Sequence, residues 1–80
     1  MALIEFMKSL TPEEWEAFAG NCGSTAAHLK NVAYGKPVAL GFADVLVAQS
    51  QGRLTLDGVP LSDQARQQRA LREAPQREAA

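Results

Sequence analysis

The chain has 80 residues, eight Lys/Arg against nine Asp/Glu, one histidine, one cysteine and a formal net charge of −1. That length allows one domain with a modest core, to which a second subunit would add stability. A lone cysteine excludes an intramolecular disulfide, the single histidine leaves too few ligands for a zinc site, and no apolar run approaches the roughly 20 residues of a membrane span. No basic segment precedes a secretory apolar run, so a soluble, cytoplasmic protein is expected.

Residues 2–10, ALIEFMKSL, place Leu3, Phe6, Met7 and Leu10 on one face and Glu5, Lys8 and Ser9 away from it, which predicts a first helix. A helix so short needs tertiary packing to persist. Thr11-Pro12-Glu13-Glu14 then combines three start signals: a Thr N-cap, Pro at the first helical position, and Glu three residues after the cap to close a capping box. A second helix begins there. Trp15, Phe18, Ala19 and Cys22 follow at i, i+3, i+4 and i+7, a single buried stripe. On it Cys22 is a small hydrophobe rather than a nucleophile, and Trp15 a core residue rather than a phosphate donor.

Gly23 interrupts the stripe where a reversal needs a residue free to take positive φ, and Ser24 or Thr25 offers a hydroxyl to cap a third helix ending at about Tyr34. Leu29, Val32 and Ala33 repeat the apolar spacing in that helix. Gly35 suits the left-handed position just past its end, and Pro37 cannot continue it. Two short helices joined by a tight corner make a helix-turn-helix candidate.

Residues 37–51 supply a fourth helix, with Phe42, Val45, Leu46 and Gln49 marking a face and Val38, Leu40 and Val47 adding apolar bulk. Gly41 weakens its start by roughly 1 kcal/mol relative to Ala. The segment is more apolar than one face requires, so Val47 either covers the first helix or meets another subunit. Residues 52–58 switch to alternation, Leu54 and Leu56 one way and Arg53, Thr55 and Asp57 the other, which predicts a short strand. It has three possible neighbours: the core, Val59-Pro60-Leu61 folded back, or its own copy across a two-fold axis.

From Ser62 the chain turns to Gln, Arg, Ala and Glu, with Leu71 as its one large apolar residue. That composition predicts partial helix, and disorder past Pro75. Arg66, Arg69, Arg72 and Arg77 against Asp63, Glu73 and Glu78 make this tail slightly positive, either as a solvated extension or as an arm that reaches phosphates. The expected division is a helical domain over 1–61 and a polar tail over 62–80.

Taken together, the pattern resembles the DNA-binding helix-turn-helix of phage Cro and repressor proteins, and it is most similar to the small Cro-like, YdaS-type regulators. The similarity is carried by Leu10-Thr11-Pro12-Glu13-Glu14, Ala19, Cys22-Gly23-Ser24-Thr25, Leu29, Val32 and Gly35, and continues through Phe42, Ala43, Leu46, Gly52, Leu54 and Thr55. It covers about residues 3 to 58, through motifs that are degenerate singly and share one register. The resemblance implies a mostly α, four-helix domain of the Cro/repressor type with a short C-terminal strand. Its second helix would lie across the DNA backbone while the third enters the groove.

With Leu29 and Val32 inward, Ala27, Asn31 and Tyr34 stand nearly opposite, and His28 and Lys30 occupy the flanks. Under the resemblance these residues meet DNA. Asn31 suits an adenine edge, Lys30 a guanine or a phosphate, and Ala27 a thymine methyl. Thr25 lies where backbone amides suit a phosphate, and Lys36 follows just beyond the helix.

Charge runs against this expectation. Residues 1–60 hold Lys8, Lys30, Lys36 and Arg53 against Glu5, Glu13, Glu14, Glu16, Asp44 and Asp57, without the basic footprint that phosphate binding usually leaves. Three of these acids sit at the start of the second helix, where they favour its dipole. No catalytic constellation and no Gly-rich phosphate loop appears, so neither an enzyme, a cofactor, a metal nor a small-molecule substrate is expected. Two functions follow from the sequence. One is a phage or prophage transcriptional regulator that reads an operator in double-stranded DNA as a homodimer. The other is a helical protein-interaction module, an inhibitor or adaptor, that keeps the fold without reading a groove.

Overall fold

The start signals at Thr11 act as the sequence predicts. In the computed structural model, which describes residues 1–74, the Thr11 hydroxyl accepts from the Glu14 N–H at 3.1 Å and the Glu14 carboxylate accepts from the Thr11 N–H at 2.8 Å. That box opens α2, Pro12–Asn21, which follows a short α1, Leu3–Lys8. Cys22 closes α2, Gly23 turns at φ +75°, and the Thr25 hydroxyl caps α3, Ala26–Ala33, by accepting from the His28 N–H at 3.1 Å. Past Tyr34, Gly35 takes positive φ, and the Lys36 N–H donates to the Asn31 carbonyl at 3.1 Å.

The predicted stripe is buried as a unit. Trp15, Phe18, Ala19 and Cys22 meet Leu3 and Phe6 from α1 and Leu29 and Val32 from α3 in one core. Phe6 packs edge-on against Phe18 with ring centroids 4.8 Å apart, and Trp15 stacks on Phe18 at 6.0 Å. Aromatic pairs in these arrangements add to what area burial supplies. α4, Leu40–Gln49, closes the core with Leu40, Ala43 and Leu46. The face read from sequence was rotated from this one: Leu46 is common to both, whereas Val45 is exposed and Phe42 half-buried. A helix apolar nearly all round gives periodicity little to choose between.

The predicted strand does not form. After α4 the backbone turns through Gln51 and Gly52, both at positive φ, and residues 56–58 make a single 3-10 turn, Leu56–Gly58. Leu54 is fully buried as the alternation requires, but its N–H goes to the Ser50 hydroxyl at 2.9 Å instead of to a neighbouring strand. Among the described residues the only β pairing is an isolated parallel bridge between Val38 and Leu61.

The segment expected to be only partly helical is a full helix, α5, Asp63–Glu73. Three features supply what a hydrophobic stripe would have supplied. Ser62 caps it by accepting from the Ala65 N–H at 3.1 Å, Ala65 is buried, and Arg69 and Arg72 pair with Asp57 and Asp44, both at 2.8 Å. The described residues thus form an all-α small domain of five α-helices rather than four with a strand. The expectations for Arg77 and for residues past Pro75 lie outside the described residues. No helix among the described residues is long and apolar enough to cross a membrane.

Candidate functional site

The corner at Gly23 sets what α3 shows to solvent. With Leu29 and Val32 fully buried, Ala27, Lys30 and Asn31 are exposed on the opposite side, and neither α4 nor α5 covers them. Tyr34, at the C-cap, is 62% exposed and continues the same face. Lys36 is exposed just beyond it. Five of the seven residues picked out by sequence are therefore exposed, Ala27, Lys30 and Asn31 on the outer side of α3, Tyr34 at its C-cap and Lys36 past the Gly35 turn.

The other two are engaged within the chain. The Thr25 hydroxyl is taken up as the helix cap, although the residue itself is exposed. His28 is half-buried: its Nδ1 lies 2.8 Å from the Ser24 hydroxyl and its ring stands 6.1 Å from that of Phe42 on α4. This places His28 on the flank of the surface, joining α3 to α4.

Trp15 is likewise held inside. Its indole N–H donates to the Ala26 carbonyl at 3.2 Å, so it has a partner in the first turn of α3. Burial pushes the Cys22 thiol up from its ordinary range, which favours the unreactive protonated form. No group of three or more His, Cys, Asp or Glu arranged to hold a metal ion occurs among the described residues.

Electrostatically the α3 surface carries two cations, and no ion pair occupies Lys30 or Lys36 among the described residues. The preceding helix is different. Glu13, Glu14 and Glu16 are exposed at the start of α2, and only Glu14 is engaged, in the capping box. Three of the arginines are spent on the protein's own frame. Arg53 lies 5.0 Å from the Phe6 ring centroid and donates to the Ser9 hydroxyl at 3.3 Å, while Arg69 and Arg72 hold α5.

Arg66, read from sequence only as one of the arginines of a solvated extension or phosphate-reaching arm, lies in a setting the sequence did not show. It borders an open groove of about 530 Å³ between α5 and residues 56–61, floored by Leu56, Val59 and Leu61. Its guanidinium has no carboxylate partner among the described residues, whereas Arg69 pairs with both Asp57 and Glu73 around the same groove and leaves those two carboxylates with one charge in excess. The only signal for it in the sequence was the arginine spacing of the tail. Comparison with family models, with curated proteins and with solved structures returns no match for this chain.

Proposed function

We propose that the protein is a DNA-binding transcriptional regulator of the Cro/repressor type that reads double-stranded DNA as a homodimer through α3. The observation that carries this is the joint exposure of Ala27, Lys30 and Asn31 on one side of a helix whose other side is locked into the core. Such a face offers an amide for an adenine edge, an ammonium for a guanine or a phosphate, and a methyl for thymine. A short capped helix beyond a tight corner presents them at the end of a rigid pair, as major-groove reading requires. The protein acts as a repressor or activator, a binding protein rather than an enzyme.

The direct test is a fluorescence-anisotropy titration with fragments from the gene's own neighbourhood at about 50 mM salt, where phosphate contacts are strongest. Saturable binding to a two-fold-symmetric site is the expected result. Asn31→Ala should lower affinity by about 1–3 kcal/mol and relax preference at one base position, and Lys30→Ala should flatten the salt dependence. Binding that neither substitution alters would remove α3 from the role.

One observation favours a second function, a protein-interaction module. The exposed Glu13 and Glu16 at the start of α2 have no cation against them among the described residues, at the place where the backbone of a duplex would pass. No retention on DNA at low salt, together with capture of a basic protein partner, would decide for that function.

A further inference from the structure

The corner between α2 and α3 holds two adjacent hydroxyls where a helix cap needs one. Thr25 is the cap, accepting from the His28 N–H at 3.1 Å, which leaves the Ser24 hydroxyl for another partner. That partner is the His28 ring, whose Nδ1 lies 2.8 Å from Ser24 Oγ. Phe42 on α4 bounds the ring as well, with centroids 6.1 Å apart.

What remains of the ring is Nε2. It has no hydrogen-bond partner among the described residues, and no buried polar side-chain atom among them is left unpartnered, so Nε2 meets solvent. His28 is the only histidine of the chain, and imidazole is the side chain whose ordinary pKa of about 6.5 puts its change of charge between pH 5 and 8. No carboxylate stands within ion-pair distance of the ring among the described residues. On α1, Glu5 accepts from the Ala2 N–H and Lys8 is exposed; on α2, Glu13, Glu14 and Glu16 lie in the half away from the corner. On α3, Lys30 occupies the other flank, and on α4 the carboxylate of Asp44 is taken by Arg72. The Cys22 thiol at the end of α2 is buried and kept protonated.

We propose that Ser24 and His28 form a proton-dependent contact to the DNA backbone, in which Ser24 holds the ring and Nε2 donates to a phosphate oxygen at the edge of the groove that α3 enters. This rests on the DNA reading above and adds its regulation. Position separates His28 from Asn31. The major groove is about 12 Å wide and walled by phosphates, so the centre of the outer face of α3 meets base edges while its flank meets a wall.

The hydroxyl suits both states of the ring. In the neutral ring that donates through Nε2, Nδ1 accepts from Ser24; in the charged ring both nitrogens donate and Ser24 accepts. Only the hydroxyl hydrogen turns, so the ring keeps its place. Phosphate holds the charged ring more tightly than the neutral one, so binding draws a proton onto it, and affinity rises as pH falls. The charged ring also adds a third cation to a surface that otherwise carries Lys30 and Lys36, in a chain of net charge −1.

Fluorescence anisotropy with the tightest-binding fragment of the neighbourhood titration, at constant salt of about 50 mM and from about pH 8 to about pH 5.5, tests the contact. Wild-type affinity should rise about three- to tenfold per subunit over that range. Calorimetry at about pH 6.5 in two buffers of different ionisation enthalpy should show proton uptake on binding. His28→Gln should bind with a level pH profile. Ser24→Ala should lose most of the pH-dependent gain, and Ser24→Thr, which restores a hydroxyl, should recover it. Circular dichroism reports the fold of each variant, and the wild-type proton uptake decides where a variant does not fold.

Saturable wild-type binding with a level pH profile and no proton uptake overturns this proposal alone. So does a folded His28→Gln chain that keeps the wild-type slope, and a folded Ser24→Ala chain with that slope removes Ser24 and with it the pair. Failure of the DNA reading differs in kind: no fragment binds at any pH, which ends both.

Discussion

The Trp15 indole N–H and the Ala26 carbonyl, 3.2 Å apart, tie the first half of α2 to the first residue of α3 across the Gly23 corner. Ala26 is followed at once by Ala27, the start of the outward face, so the bond holds the angle at which that face leaves the core. Trp15→Phe keeps an aromatic ring in the stripe and removes the donor. It should lower stability by at least about 1 kcal/mol, from the lost hydrogen bond and the smaller ring together. Urea unfolding followed by far-UV circular dichroism measures it, and an unchanged midpoint would show that the bond holds nothing.

Two glycines of the same helix pair should respond to alanine with opposite sign. Gly23 sits at φ +75°, with open space where a Cβ would go, so Gly23→Ala carries backbone strain alone and should destabilise by about 1–3 kcal/mol. Gly20 lies inside α2 at an ordinary φ and also has open space, so Gly20→Ala should stabilise by roughly 0.5–1 kcal/mol. Thermal melts of the two variants side by side make the comparison. A shared sign would mean that the corner is not what Gly23 provides.

That corner and the helices on either side were legible because local chemistry decides them. The Thr11 box, the Thr25 cap and the i, i+3, i+4, i+7 stripe each need only neighbours within a few residues. The region after α4 was not legible, because its structure depends on partners far away. Leu54 and Leu56 alternate as a strand would, but a strand needs a neighbour, and Leu61, which could have supplied one, is bridged to Val38. α5 was underestimated for the same reason. Its carboxylate partners Asp44 and Asp57 lie 28 and 12 residues before Arg72 and Arg69, beyond the reach of any periodicity. For the candidate site, burial of Leu29 and Val32 gave the outward face of α3 directly, whereas the turn of His28 toward Phe42 needed the position of α4.

Ser50 is what the alternation concealed. Its buried hydroxyl donates to the Val47 carbonyl at 2.7 Å and accepts from the Leu54 N–H at 2.9 Å, ending α4 and fixing the loop in one residue. Ser50→Ala would leave the Leu54 N–H without a partner where water does not reach. The expected loss is about 1–3 kcal/mol, the cost of a buried unsatisfied donor. Hydrogen exchange at the Leu54 amide should accelerate beyond the global change in stability, and protection equal to wild type would refute the assignment.

Acid should loosen α5 before it unfolds the core, and the sign follows from Asp44. Its carboxyl is held below the ordinary aspartate value of about 3.9 chiefly by the hydrogen bond from Arg72, reinforced by that guanidinium's charge. A carboxyl lowered in the folded state contributes stability that is complete above its unfolded value and is lost as pH falls through its folded one. Docking of α5 should therefore be level from pH 8 down to about 5 and weaken only below about 4. The pair is nearly half exposed, with side chains 46% and 43% accessible, so salt should weaken it as well. Carboxyl NMR should give Asp44 a titration midpoint below the ordinary value in wild type and near it in Arg72→Ala. Amide exchange across α5 should rise over the same acidic range, and Asp44→Asn should reduce that dependence, leaving the part carried by the Arg69–Asp57 pair. Loosening centred above pH 5 would mean that some group other than Asp44 controls the helix.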